Sequence, residues 1–353
     1  MIQFRMVLIR FAFLLLLVIA AWPLAGSAQL RLADPWPDPA AGDGVRELPV
    51  SFPSSSPFVP MDAIRHPEDV PTLTTQGSLF LPAGTPGRRA VPAVIVLHGS
   101  SGVQPEREVA DGRSLAAMGV EVLLIDSFGS RRDVATDFID RMLKITETMF
   151  VTDAYAGLRF LLARPEIDPS RVVLLGFDYG GMAATYAAYA EIADLEAPQG
   201  PRFAGHVAYY APCIARFRNY RTTGAPILML WGTADEMINV VRCASTAAEL
   251  RAGGSSVEIV TYPGAVQEWD GSLPPQRINH NLVDCSLEVE ADGTVRDLHT
   301  GLTMAGTFSR RLIFLFCGTI VGYPVEADPK VRALSNRDLG RFLARVFRIN
   351  IAE

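Results

Sequence analysis

The residues best placed to do chemistry fall in four glycine-bearing turns, each directly after an apolar run. The sharpest is Gly176-Phe177-Asp178-Tyr179-Gly180-Gly181, between the run Val172–Leu175 and a small-residue segment beginning at Met182. Small residues on both sides let a strand turn at once into a helix, and the central residue is thrust forward with a strained, often positive φ. That residue is Asp178, where acyl-transfer chemistry needs a serine or cysteine. Aspartate tolerates positive φ better than most side chains, and negative charge is favoured at a helix N-terminus, so suiting the turn is the plainer alternative to a chemical role. His98-Gly99-Ser100-Ser101-Gly102 follows the run Ala93–Leu97. It can present backbone N–H groups to an oxyanion, or simply turn the chain. Gly232-Thr233-Ala234-Asp235 follows Ile227–Trp231 and offers an acid that could orient a histidine. Tyr262 to Asp270 closes the series, and where that histidine is expected stands Gln267. Glutamine cannot take a proton, and general base catalysis supplies roughly 10²–10⁴-fold.

The elements that must position these turns alternate. Strands are expected at Thr74–Leu81, Ala93–Leu97, Val120–Ile125, Val172–Leu175, His206–Tyr210, Ile227–Trp231 and Val257–Tyr262. Between them run helices at about Arg107–Met118, Arg141–Ala163, Met182–Ala193 and Ala244–Arg251. Continuous apolar strands alternating with helices predict an α/β fold with a mostly parallel central sheet covered on both faces. Ligands meet such sheets at the carboxyl ends of the strands, where the four turns lie. A final helix, capped at Ser335, puts Leu339, Phe342, Leu343, Val346 and Phe347 on one face. Residues 29–71 read as an extended proline-rich lead-in, with regular structure from about Thr72. The domain spans 72–353 and holds an irregular insertion at about 271–334, long enough to need restraint or function.

At the N-terminus, Arg5 and Arg10, the apolar run Phe11–Ala21 and the small residues Ala25-Gly26-Ser27-Ala28 have the form of a signal peptide, residues 1–28. The apolar run is short for a spanning helix, so the mature chain is expected to be exported, periplasmic or secreted, without a membrane span. Cleavage removes two arginines and no acid, taking the formal charge from −6 to −8. That balance does not suit nucleic acid. Cys213, Cys243, Cys285 and Cys317 lie beyond the leader; an even count in an exported chain suggests disulfides in one of three connectivities, with free buried thiols as the alternative. No cysteine or histidine spacing proposes a metal site, and no cofactor is expected.

Together these segments resemble the dienelactone hydrolase family of the α/β-hydrolase superfamily, over roughly Thr72 to Phe347. The likeness rests on Leu97-His98-Gly99-Ser100-Ser101-Gly102, Asp126-Ser127-Phe128-Gly129, the turn at 176–181, Tyr209-Tyr210-Ala211-Pro212-Cys213, Gly232–Asp235 and Tyr262-Pro263-Gly264-Ala265. The resemblance implies hydrolysis of esters and lactones by a nucleophile, a histidine and an acid. It assigns the acid to Asp235 and the oxyanion hole to the amides of Ser100 and Tyr179. It pairs Cys213 with Cys243, leaving Cys285 with Cys317. Asp178 and Gln267 depart from it at the nucleophile and histidine positions. The first reading is a weak or inactive triad retained to bind a small molecule. The alternative is an active hydrolase using Asp178 with Asp235 and a histidine from the insertion, His280 rather than His299. A metal site from Asp178, Asp235 and His280 has no support in spacing. Asp178 and Asp235 in one pocket would repel, and Arg131 and Arg132 are the cations expected to answer them.

Overall fold

The computed structural model describes Leu32, Trp36, residues 44–84 and residues 90–349. The leader read at 1–28 lies outside these. An eight-stranded sheet is built from β1 (Arg46–Ser55), β2 (Thr72–Leu81), β3 (Val91–Leu97), β4 (Glu121–Asp126), β5 (Ile167–Phe177), β6 (Gly205–Tyr209), β8 (Ile227–Gly232) and β9 (Val257–Tyr262). A short β7 (Ala215–Phe217) lies outside it. The order is β1-β2-β4-β3-β5-β6-β8-β9. β1 and β2 run antiparallel, and every pairing from β4 to β9 is parallel. β3 is buried at all its residues, as its unbroken apolar run requires.

Helices cover both faces. The helices in order are α1 (Pro60–Arg65), α2 (Ala110–Ala117), α3 (Phe138–Lys144), α4 (Glu147–Leu162), α5 (Tyr179–Tyr186), α6 (Ala190–Glu196), α7 (Val240–Ala252), α8 (Thr307–Cys317) and α9 (Pro329–Val346). Ile95, Leu97, Leu123 and Leu174 point to one side, with Phe150, Ala154 and Leu158 of α4 and Ala183 of α5. Val94, Val96, Val122 and Leu175 point to the other, with Leu115 of α2 and Leu339, Phe342 and Leu343 of α9. This alternation is the two-residue period of the strands made visible.

The structure corrects four sequence expectations. Part of the lead-in is the edge strand β1, where Phe52 is buried and stacks on Phe160 at 5.3 Å. Its Pro49 and Pro53 hide a strand from composition, yet an edge tolerates prolines because one row of N–H groups has no ladder partner. The expected helix 141–163 is two, broken at extended Ile145, with Thr146 as the N-cap of α4. The expected helix 182–193 is likewise two, α5 and α6. The last helix is capped by Asp328, whose carboxylate accepts from the amides of Lys330 and Val331. Ser335 sits inside that helix and accepts from the Trp269 indole at 3.1 Å.

The insertion carries α8 and five short strands: β10 (Gln276–Ile278), β11 (Leu287–Val289), β12 (Val295–Asp297), β13 (Thr303–Met304) and β14 (Tyr323–Val325). β11 pairs with β7, and β10 with β14. Disulfides join Cys213 to Cys243 and Cys285 to Cys317.

Arg131 and Asp153 form a buried ion pair at 2.6 Å. The Asp153 carboxylate also accepts from the hydroxyls of Ser54, Thr75 and Ser127, and Arg131 donates to Ser55 and Ser56. The pair thus ties β1, β2 and the turn after β4 to α4. Removing one member of such a pair leaves a buried charge without a partner. Arg131→Ala is expected to cost about 3–5 kcal/mol in urea unfolding, whereas Arg131→Met with Asp153→Leu costs less. A loss below about 1 kcal/mol in the single variant would refute this role.

Candidate functional site

The turn between β5 and α5 is as tight as its glycines imply. A Cβ on Gly180 would lie 2.6 Å from the carbonyl oxygens of Leu97 and His98, and one on Gly176 would lie 2.0 Å from the Gly180 oxygen. The chain crosses this contact with Asp178 at φ 48° and ψ −108°. That is sparsely populated backbone, costing on the order of 1–3 kcal/mol. Tyr210, Glu268 and His280, near this site, also have positive φ, as do Ala90 and Arg348 elsewhere.

Asp178 does not cap its own helix. Its carboxylate turns toward the first glycine turn instead. Oδ2 accepts from the Ser100 amide at 2.9 Å and the Ser100 hydroxyl at 2.5 Å, and Oδ1 accepts from Gln267 Nε2 at 3.3 Å. The amide expected to stabilise a substrate oxyanion is bonded to the protein's own carboxylate. The Tyr179 amide follows directly at the start of α5, and the Tyr179 hydroxyl donates to the Ile145 carbonyl.

Gln267 is bonded to Asp178, and Asp235 lies close enough to Asp178 to feel its charge. A Cβ on Gly232 would lie 2.0 Å from the Ala265 oxygen, and the Ala234 amide donates to that oxygen at 3.0 Å, locking the turn after β8 to the segment after β9. Asp235 Oδ1 accepts from the Met237 amide at 2.8 Å. Asp235 Oδ2 and Gln267 Oε1 are buried without a hydrogen-bond partner. Burial pushes the Asp235 carboxyl up to about 8; the Met237 amide opposes this, and nearby Asp178 adds to it.

A cleft of about 380 Å³ opens above Asp178 and Ser100. Its walls are mainly apolar, including Phe138, Met142, Met182, Ile214, Met237 and Phe314. The insertion supplies the far side through α8, His280 and Tyr323. β14 is held there by a bridge between Val325 and Gln267. Tyr323 was missed by sequence reasoning because the insertion lacks a clear period. Burial and the carboxylates of Asp178, Glu268 and Asp235 all push its phenol up. His280 lines the cleft but is exposed, and it makes no hydrogen bond or ion pair among the described residues. His299 is exposed, 3.8 Å from Asp297.

Among the remaining candidates, the arginine expectation is overturned. His98 is fully buried against Phe128 and Phe150, and its Nδ1 lies 2.8 Å from the Gly99 carbonyl, so that nitrogen carries the proton. It supports the turn rather than facing the cleft. Arg131 is taken by Asp153, and Arg132 is exposed and donates to Gly129, so neither answers Asp178. Asp178, Asp235 and His280 do not converge as metal ligands; among the described residues the one convergent group is exposed His66, Glu68 and Asp69.

The buried cation beneath the cleft is Arg107, a residue to which the sequence reading gave no role. It lies 2.8 Å from Glu108 and 3.4 Å from Glu268, and donates to the Tyr210 hydroxyl at 3.4 Å. Tyr210 in turn donates to Asp270 at 2.7 Å, and burial pushes the Asp270 carboxyl up to about 7. Glu268 adjoins Gln267 in sequence, and Arg107 sits four residues past Val103, yet neither neighbourhood announces an ion pair.

Residues 77–268, more than half of the chain, match the family model described as the dienelactone hydrolase family. Similar solved structures include Thermogutta terrifontis esterase 2 phosphorylated by paraoxon, 16% identical, covering 79% of this chain and 91% of that chain with a TM-score of 0.51. Another is a dienelactone hydrolase-like promiscuous phosphotriesterase from metagenomic libraries, 15% identical, covering 84% of this chain and 98% of that chain with a TM-score of 0.49. At such identity the first of these carries the α/β-hydrolase fold alone.

The raised Asp235 pKa makes stability depend on pH in a definite direction. Below about pH 4 the carboxyl is protonated both folded and unfolded. Between there and its folded value of about 8, the unfolded chain loses the proton and the folded chain keeps it, so stability falls as pH rises. Asp270 acts in the same sense up to about 7. Asp235→Asn removes the stronger of these two pH dependences. Its stability relative to the parent is expected to improve between pH 5 and pH 8, on the order of a few kcal/mol in urea unfolding. Parallel pH profiles for the two proteins would contradict the assignment.

Proposed function

Since this chain belongs to the dienelactone hydrolase family, we propose that it is a small-molecule-binding member whose triad site does not efficiently hydrolyse esters. The observation carrying this reading is the Asp178 carboxylate bonded to the Ser100 amide at 2.9 Å. A substrate carbonyl would need that donor as negative charge develops on its oxygen, and the donor is already engaged by a fixed negative group. Gln267 adds a second obstacle. An Asp178 nucleophile would form an ester that only activated water could cleave, and glutamine activates no water. Export belongs to the same proposal; two disulfides are compatible with it, and among the described residues no helix is long and apolar enough to cross a membrane.

One observation favours a second reading, in which Asp178, Asp235 and His280 form an active hydrolase for esters, lactones or related substrates. His280 lines the same cleft as Asp178. Against it, His280 is exposed and bonded to neither carboxylate.

The test compares the parent with Asp178→Ala and with Asp178→Ser/Gln267→His on chromogenic esters and lactones. The parent and Asp178→Ala are expected to sit together near background. The double variant is expected to rise on the order of 10²-fold, from restoring a base and nucleophile in an intact frame. Parent turnover that disappears in Asp178→Ala, and in His280→Ala, would establish the second reading instead.

A further inference from the structure

Asp178 lines the floor of the cleft, is 4% exposed, and has no ion-pair partner among the described residues. Its donors are neutral: an amide, a hydroxyl and a carboxamide. Asp235 and Glu268 stand close enough to add to the negative field at Tyr323. Arg107, the cation beneath them, pairs with Glu108 and Glu268; its Nη2 has no hydrogen-bond partner and lies beside Gly99, as Asp178 Oδ2 does, near that oxygen but not in contact. Arg131 and Arg132, which the sequence offered as counter-charges, are elsewhere. A buried carboxylate with no cation in contact is costly, and an opposite charge brought in from outside would relieve it.

The walls limit what can bring it. Phe138, Tyr179 and Tyr323 put three aromatic rings around the cleft, beside Met142, Met182 and Met237, while the Phe314 ring already carries the Arg310 guanidinium at 4.6 Å. Aromatic faces attract cations, and most strongly where water is excluded. The scattered carboxylate ligands do not fit a bare metal ion. An anionic ligand finds the oxyanion donor occupied and meets a carboxylate at the floor. Arg311 also lines the cleft and carries the opposite preference, but it is exposed on α8. Solvent and salt weaken its field more than that of a buried group.

We propose that the cleft binds organic cations in which an amine or quaternary ammonium head is joined to an apolar body. The head lies against Asp178 and the aromatic rings, and the body lies along the methionine and phenylalanine wall. This deepens the small-molecule-binding reading above and rests on it.

The test uses decyltrimethylammonium, decyl sulfate and neutral decyl maltoside below their micellar concentrations, measured by calorimetry on the full mature chain. The ammonium probe is expected to bind on the order of 10-fold or more tightly than the sulfate. Asp178→Asn, which keeps the shape and tolerates positive φ, is expected to abolish that preference, bringing the ammonium probe down to the level of the neutral maltoside. Arg311→Ala is expected to weaken the sulfate without weakening the ammonium. Equal or tighter binding of sulfate or maltoside by the parent would overturn the cation assignment and leave a small-molecule pocket standing. Ammonium binding unchanged in Asp178→Asn would overturn it as well. No binding of any probe would count against both the assignment and the pocket reading.

Discussion

Helix α5 rests on the carbonyl oxygens of Leu97 and His98 with no side chain between them, and the geometry of the cleft follows from that contact. The Gly180 amide donates to the His98 carbonyl at 3.1 Å, so the helix is fastened as well as close. A residue with a Cβ at 180 would lift α5 from the sheet and carry position 178 away from Ser100. A second close approach, Gly232 against Ala265, fixes Asp235 beside Gln267 in the same manner. Two backbone contacts, neither involving a functional side chain, therefore hold the four polar residues of the site in register.

The sequence made the central sheet legible because buried parallel strands must be apolar throughout, as the fully buried β3 and β8 show. Breaks in helices were less legible. At the first break the β-branched pair Ile145-Thr146, with Thr146 as the N-cap, offered a local signal that the apolar period concealed, whereas nothing in Tyr186-Ala187-Ala188-Tyr189 marks the second. Asp178, Ser100, Asp235 and Gln267 could be found because each follows a strand within a local pattern. Tyr323, Arg107 and Glu268 could not be found in that way. Tyr323 reaches the site only through the path of the insertion, and Arg107 gains meaning only from partners distant in sequence.

Buried acids in this protein are accommodated by contrasting means. Asp153 has an arginine and three hydroxyls, and it joins elements that would otherwise separate. Asp235 has one amide for one oxygen and nothing for the other. The first arrangement resembles a structural rivet in a dry interior. The second remains a place where charge is expensive, and it lies on the side of the molecule where the sheet opens to ligand.

The disulfide Cys285–Cys317 joins two parts of the insertion to each other and leaves the sheet untouched. Outside that bond, the segment meets the body of the domain through discrete contacts, among them Val325 at Gln267, β11 along β7, Arg310 on Glu147 at 3.0 Å, Arg277 on Glu236 and Asp292 on Arg65. Floor and collar are accordingly separate parts. The floor is dictated by the strand ends and admits little variation, while the collar brings its own bracing. A different collar, of different length and lining, could be fitted to the same floor without disturbing a strand of the eight-stranded sheet, so the choice of guest and the frame that receives it are free to diversify independently.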